Sequence, residues 1–202
     1  GATTFKRFNS IDDISSTARQ IRTQDLWYDV YNSAIFISNL GKIDIYHKVK
    51  LVPGAEKIPF PSLLNNISSL SVDLGGVSGS LGSDNYLNVF SLDTLKLLPL
   101  ICYESIFGDL NKSKDFELMC IITNDGWWKN TSGYKQHFSY AKLRAIEQRK
   151  SIIRCANTGQ SGVIDMHGRV IAFADWNEKV AIDVEVSSNN IKTFYNEFGD
   201  YI

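Results

Sequence analysis

Three segments of the chain combine residue types that could do chemistry. The first is Leu98-Pro99-Leu100-Ile101-Cys102-Tyr103-Glu104-Ser105, an apolar run that delivers a cysteine into polar residues. If the run is a strand and a helical turn begins at Tyr103, free backbone N–H groups point toward Cys102. They would favour its thiolate and later hold the oxyanion of a tetrahedral intermediate. A lone cysteine in such a run also fits an ordinary core position. The second is Tyr46-His47-Lys48-Val49-Lys50-Leu51-Val52-Pro53-Gly54-Ala55-Glu56. Here Lys48 could stabilise a thiolate or oxyanion, and Glu56 could orient the lysine, although lysines and glutamates are usually solvated. The third is Thr123-Asn124-Asp125-Gly126-Trp127-Trp128, where Asn124 and two adjacent indoles follow an apolar strand. One tryptophan could clamp the loop on the core, or both could wall an apolar substrate. Cys120 and Cys155 have apolar neighbours and read as core residues.

The elements that must position these residues follow from periodicity and turn chemistry. Ser33–Ser38 and Lys42–Tyr46 flank Asn39-Leu40-Gly41 and predict a hairpin. Leu51–Pro61 holds three of the four prolines and predicts a shaped loop, as do the Ser-Gly-rich stretches Leu74–Asp84 and Asn157–Gly162. Further strands are predicted at Tyr86–Leu92, Lys96–Ile101, Glu117–Thr123, Ser151–Ala156, Gly162–Ile164, Val170–Phe173 and Val180–Val186. Asp165-Met166-His167-Gly168 marks another turn. A helix is predicted from about Gly133 to Lys150, with Tyr134, Phe138, Ala141 and Ala145 on one face. Many short strands around one long helix predict an α/β (α+β) layered fold.

Composition narrows the function classes. The 202 residues are 44% hydrophobic and 21% charged, which supports one folded domain rather than a disordered tail. A net charge of −1 leaves no excess of positive charge for a phosphate backbone, so no nucleic-acid partner is expected. The longest apolar run, Leu97–Tyr103, contains Pro99 and is far below the ~20 residues of a membrane span. Three cysteines make no disulfide framework. His47, His137 and His167 sit in no papain-like signature and read as ordinary surface or helix residues, and no cluster has the sequence spacing of a metal site.

Together, in this order and spacing, the three segments resemble the nitrilase (carbon-nitrogen hydrolase) superfamily, and within it the apolipoprotein N-acyltransferase family. Glu56 lies eight positions after Lys48, as in that family's lysine loop, and Ile101-Cys102-Tyr103-Glu104 and Thr123–Trp128 resemble its cysteine segment and its Asn-Asp-x-Trp loop. Gln136-His137, Arg144–Glu147, Arg154 and Asn157-Thr158-Gly159 also look like family positions, and the resemblance runs to Tyr201.

The resemblance implies a nitrilase-like four-layer α-β-β-α sandwich and a Glu-Lys-Cys catalytic set without cofactor or metal. Cys102 would be the nucleophile, Lys48 the oxyanion stabiliser and Glu56 a supporting carboxylate. Tyr103, Glu104, Asn124, Trp127 and Trp128 would bind substrate, the two tryptophans near the lipid. The implied reaction takes a fatty acyl chain from a phospholipid donor, through a thioester, to the N-terminal amine of a diacylglyceryl apolipoprotein at the periplasmic side of the bacterial inner membrane. The family's general-base glutamate, its first strands and its multi-helix membrane portion lie upstream of the region matching Gly1. The resemblance therefore implies that residues 1–202 are a C-terminal fragment of a membrane acyltransferase. Gly54-Ala55 departs from the family's Phe-Gly. Asp12 and Asp13 stand in no motif that would make either the base. A soluble nitrilase-like amidase for small carbon-nitrogen substrates and a noncatalytic nitrilase-like interaction module are the alternatives.

Overall fold

Short runs of branched and aromatic residues become the strands of two sheets in the computed structural model, which describes residues 1–58 and 80–200. The chain divides into two compact units, one of Gly1, Ala34–Tyr46 and Leu87–Ile202, the other of Ala2–Ser33 and His47–Tyr86. Among the described residues, no helix is long and apolar enough to cross a membrane.

The first sheet comprises β1 (Ala2–Phe8), β2 (Arg19–Ile21), β3 (Leu26–Ile37) and β4 (Ile43–His47), with β1, β2 and β4 all pairing with β3. The predicted hairpin is β3–β4, turning at Gly41 with φ +77°. Its first strand begins at Leu26 rather than Ser33. Asp29 and Asn32 interrupt the apolar pattern there, yet Asp29 is buried and accepts from the Thr17 hydroxyl at 2.8 Å.

The larger unit is built on a six-stranded mixed sheet in the order β10-β9-β8-β7-β6-β5. Its strands are β5 (Phe90–Leu92), β6 (Leu95–Ile101), β7 (Leu118–Thr123), β8 (Ser151–Ala156), β9 (Ser161–Ile164) and β10 (Val170–Ala174). The central strands β6, β7 and β8 are parallel, and Leu98, Leu100, Met119, Ile121 and Ile152 in them are buried. Helix α1 (Ser132–Gln148) packs on β8 and β9. Tyr134, Phe138, Ala141 and Ala145 form its buried face as the periodicity predicts, and the helix stops where Arg149 turns left-handed at φ +51°. A second short helix, α2 (Phe194–Phe198), follows near the C-terminus.

Three expectations are corrected. The strand predicted at Tyr86–Leu92 begins only at Phe90. Val180–Val186 alternates half-buried and exposed residues but is assigned no strand, because alternation needs only one covered face, whereas a strand needs a ladder partner. Cys155 is exposed rather than core. On β8 the inward position belongs to Arg154, which is 2% exposed, and the pleat turns Ile153 and Cys155 outward. Residues 59–79, which include the end of the predicted loop Leu51–Pro61 and the start of Leu74–Asp84, lie outside the described ones, as do residues 201–202.

Candidate active site

The buried strand β6 ends at Ile101, and Cys102 follows in the left-handed region at φ +51°. A non-glycine residue rarely adopts this conformation, and it persists only where the surroundings hold it. A 3₁₀ turn over Cys102–Ile106 then carries the chain away. Glu104 in that turn is completely buried. Its carboxylate accepts from the Ile101 amide at 2.7 Å and from the Tyr46 hydroxyl at 2.5 Å. The Ser105 hydroxyl donates to the Cys102 carbonyl at 2.8 Å. The turn is thus pinned on both sides of the cysteine, which is half-buried.

Cys102 opens on a cavity of about 160 Å³ lined by Tyr103, Ile106, Trp127, Trp128, His137 and Tyr140. The two indoles stack at 5.1 Å and 19°. Trp127 remains 39% exposed and Trp128 half-buried, so neither is absorbed into the core. Of the residues expected to bind substrate, Tyr103, Trp127 and Trp128 line this cavity. Glu104 lies beneath the turn, and Asn124 is exposed, accepting from the Gly126 amide at 3.1 Å.

Below the cavity lies a group that sequence spacing does not reveal. The Cys102 sulfur, an Asp125 carboxylate oxygen and a His137 ring nitrogen fall within 4.8 Å of one another, although 35 residues separate Cys102 from His137. His137 is therefore a buried residue of the site, not an ordinary surface or helix histidine. Its Nδ1 lies 2.8 Å from Asp125 Oδ1, and Arg154 Nη2 donates to Asp125 Oδ2 at 2.8 Å. Thr123 also donates to Asp125, and Arg154 donates to the Gln160 carbonyl. Burial alone would raise the Asp125 carboxyl, but the hydrogen bond from His137 and the adjacent Arg154 guanidinium together hold it below the usual carboxylate range. Asp125 and His137 are thus tied to one another, to Arg154 and to Thr123 in a hydrogen-bond network. The signal in the sequence is the strand Ile152–Cys155, which carries a charge at an inward position.

Lys48 and Glu56 belong to the other unit and meet there. Lys48 is completely buried, and its ammonium donates to both Glu56 oxygens, at 2.9 and 2.7 Å. The glutamate also accepts from Asn32 Nδ2 at 2.9 Å and the Val52 amide at 2.8 Å. A left-handed Gly54 at φ +81° turns the loop back to make this possible. The eight-residue spacing thus closes a bidentate ion pair between buried Lys48 and half-buried Glu56, and the solvated alternative for Lys48 does not hold.

A half-buried cysteine held left-handed at the end of a parallel strand, beside an aromatic-walled cavity, is a geometry that suits a cysteine enzyme. Residues 13–195 match the carbon-nitrogen hydrolase family, and the chain belongs to that family. It is 35% identical over 188 residues to the apolipoprotein N-acyltransferase of Rhizobium rhizogenes, covering 89% of this chain and 35% of that protein. It is 30% identical over 183 residues to that of Chlorobaculum tepidum, covering 87% and 34%. The chain thus spans about a third of the length of these relatives.

Among solved structures it resembles a CN-hydrolase superfamily protein of Xanthomonas campestris that carries an arsenic adduct in its active site, with TM-score 0.55, 15% identity and coverage of 80% of this chain and 58% of that one. It also resembles Nit3 of Saccharomyces cerevisiae, a nitrilase superfamily member, with TM-score 0.56, 18% identity and coverage of 80% and 54%. These likenesses define the fold as nitrilase-like.

Proposed function

We propose that the chain is the catalytic domain of an apolipoprotein N-acyltransferase, part of a longer enzyme of the bacterial inner membrane that works on its periplasmic side. In this reading the Cys102 thiolate attacks the ester carbonyl of a phospholipid. The tetrahedral intermediate expels the lysophospholipid alkoxide, which takes up a proton, and the acyl chain remains as a thioester. The α-amine of a diacylglyceryl apolipoprotein then attacks the thioester, forming an amide and returning the thiol. Lys48 stabilises the oxyanion in both steps, and Glu56 aims the lysine. The stacked indoles face the acyl chain.

The observation that supports this reading most directly is Cys102 on its left-handed elbow at the mouth of a cavity walled by Trp127 and Trp128. Incubating the protein, extended N-terminally to the length of its relatives, with phospholipid vesicles and mapping tryptic peptides by mass spectrometry tests it. One fatty acyl mass on the Cys102 peptide, released by hydroxylamine and absent from Cys102→Ala, is the expected result. Hydrolysis of small amides with no acyl mass would replace the reading with an amidase.

A further inference from the structure

We infer that His137 is a positioning residue for the nucleophile, holding the Cys102 peptide in the left-handed conformation from which the sulfur faces the cavity. The inference rests on the reading of Cys102 as the nucleophile, but it concerns a side chain to which the acyl-transfer steps give no task.

A cysteine at φ +51° needs its carbonyl fixed, because that carbonyl sets the orientation of the following peptide. Among the described residues, the Ser105 hydroxyl reaches it at 2.8 Å and His137 Nε2 at 3.1 Å. Nε2 is also 2.9 Å from the Ser105 oxygen, so the ring braces the hydroxyl as well as the carbonyl. A carbonyl only accepts, so Nε2 is the donor in that contact. The ring has little freedom to turn. Asp125 and Arg154 hold its Nδ1 side, Trp128 meets it edge-on at 5.1 Å, and His137, Asp125 and Arg154 are each at most 3% exposed. The chain of contacts therefore runs from Arg154 on β8, through Asp125 after β7 and His137 on α1, to the peptide after β6. Three elements of the larger unit converge on one carbonyl.

Thiol labelling reads the placement of the sulfur without requiring acyl transfer, so its failure and the failure of the proposed activity can be told apart. The three cysteines fall on separate tryptic peptides, which allows iodoacetamide modification of the purified 202-residue chain to be followed site by site. Two neutral variants divide the ring's two jobs. His137→Gln places an amide N–H₂ where Nε2 was and keeps a donor for the Cys102 carbonyl. His137→Asn reaches only the Nδ1 position and loses that donor. Losing one such hydrogen bond is worth roughly a fivefold change. The expected result is labelling of Cys102 within about twofold of the parent in His137→Gln and slowed at least about fivefold in His137→Asn, with exposed Cys155 reacting equally in all three. Equal Cys102 rates in the two variants would overturn the inference. So would a loss in His137→Asn that comes with faster labelling of Cys120, since greater exposure of that half-buried thiol signals unfolding of the unit rather than displacement of one peptide.

Discussion

Arg154 is a charge placed where an isoleucine would be expected. Ile153 beside it is 37% exposed, so strand β8 spends an inward position on a guanidinium and turns an aliphatic side chain outward. Stripping the water from two ions costs several kcal/mol each, and an ion pair offsets this only with good geometry and further hydrogen bonds. Asp125 has both: Arg154 at 2.8 Å, Thr123 at 2.9 Å and the His137 ring at 2.8 Å. Removing the cation alone would leave a buried carboxylate short of a partner, so Arg154→Met should destabilise the chain by about 3 kcal/mol in urea unfolding at neutral pH. The Asp125 carboxyl lies below its ordinary value in the folded chain. Its contribution is therefore complete above the unfolded value near 4 and is lost as pH falls through the lower folded value. The parent should lose stability below about pH 5, and Asp125→Asn should show a flatter loss over the same range. Equal pH slopes for the two proteins would show that Asp125 is not linked to folding in this way.

At the scale of elements, the turn between β8 and β9 closes over this network. Its Thr158 carbonyl accepts from the Asp125 amide at 2.8 Å, and the Asn157 amide donates to the Thr123 carbonyl at 3.0 Å. Gly159 makes the closure possible, with φ +123° and no side chain. A Cβ there would lie 2.5 Å from Asp125 Oδ2 and 2.7 Å from Asp125 Cβ. Gly159→Ala should accordingly destabilise by about 1–3 kcal/mol and slow Cys102 labelling as well, because the carboxylate it displaces orients His137. A stability loss with unchanged labelling would place the turn outside the network. Elements of this kind were legible where the pattern and the packing agree. The apolar face of α1 and the buried strands β6 to β9 follow from periodicity, and the predicted edges lie within two residues of those observed. The pattern failed where polar groups take core positions, as at Asp29 in β3 and Arg154 in β8, and where Val180–Val186 alternates without a ladder partner. Strands β1 and β2 carry mixed polar residues, and their pairing with β3 is a long-range fact that no local period encodes.

For the molecule as a whole, the motif order located the cysteine elbow and the Lys48–Glu56 pair, whereas the Asp125–His137–Arg154 network emerges only when three elements of the larger unit fold together. The carboxylates of these sites are all engaged as acceptors. Glu56 accepts from Lys48, Asn32 and the Val52 amide, Glu104 from Tyr46 and the Ile101 amide, and Asp125 from Arg154 and Thr123. Their oxygens are committed to these donors, so the geometry leaves none of the three placed to take the thiol proton and return it to the leaving alkoxide. The family resemblance puts that task on a glutamate upstream of the region matching Gly1, and general acid–base participation is worth about 10²- to 10⁴-fold in rate. The purified 202-residue chain should therefore transfer acyl groups to a diacylated lipopeptide at least about 100-fold more slowly than a chain extended N-terminally to the length of its relatives. Comparable turnover by the two, abolished in both by Cys102→Ala, would show that the base resides within residues 1–202.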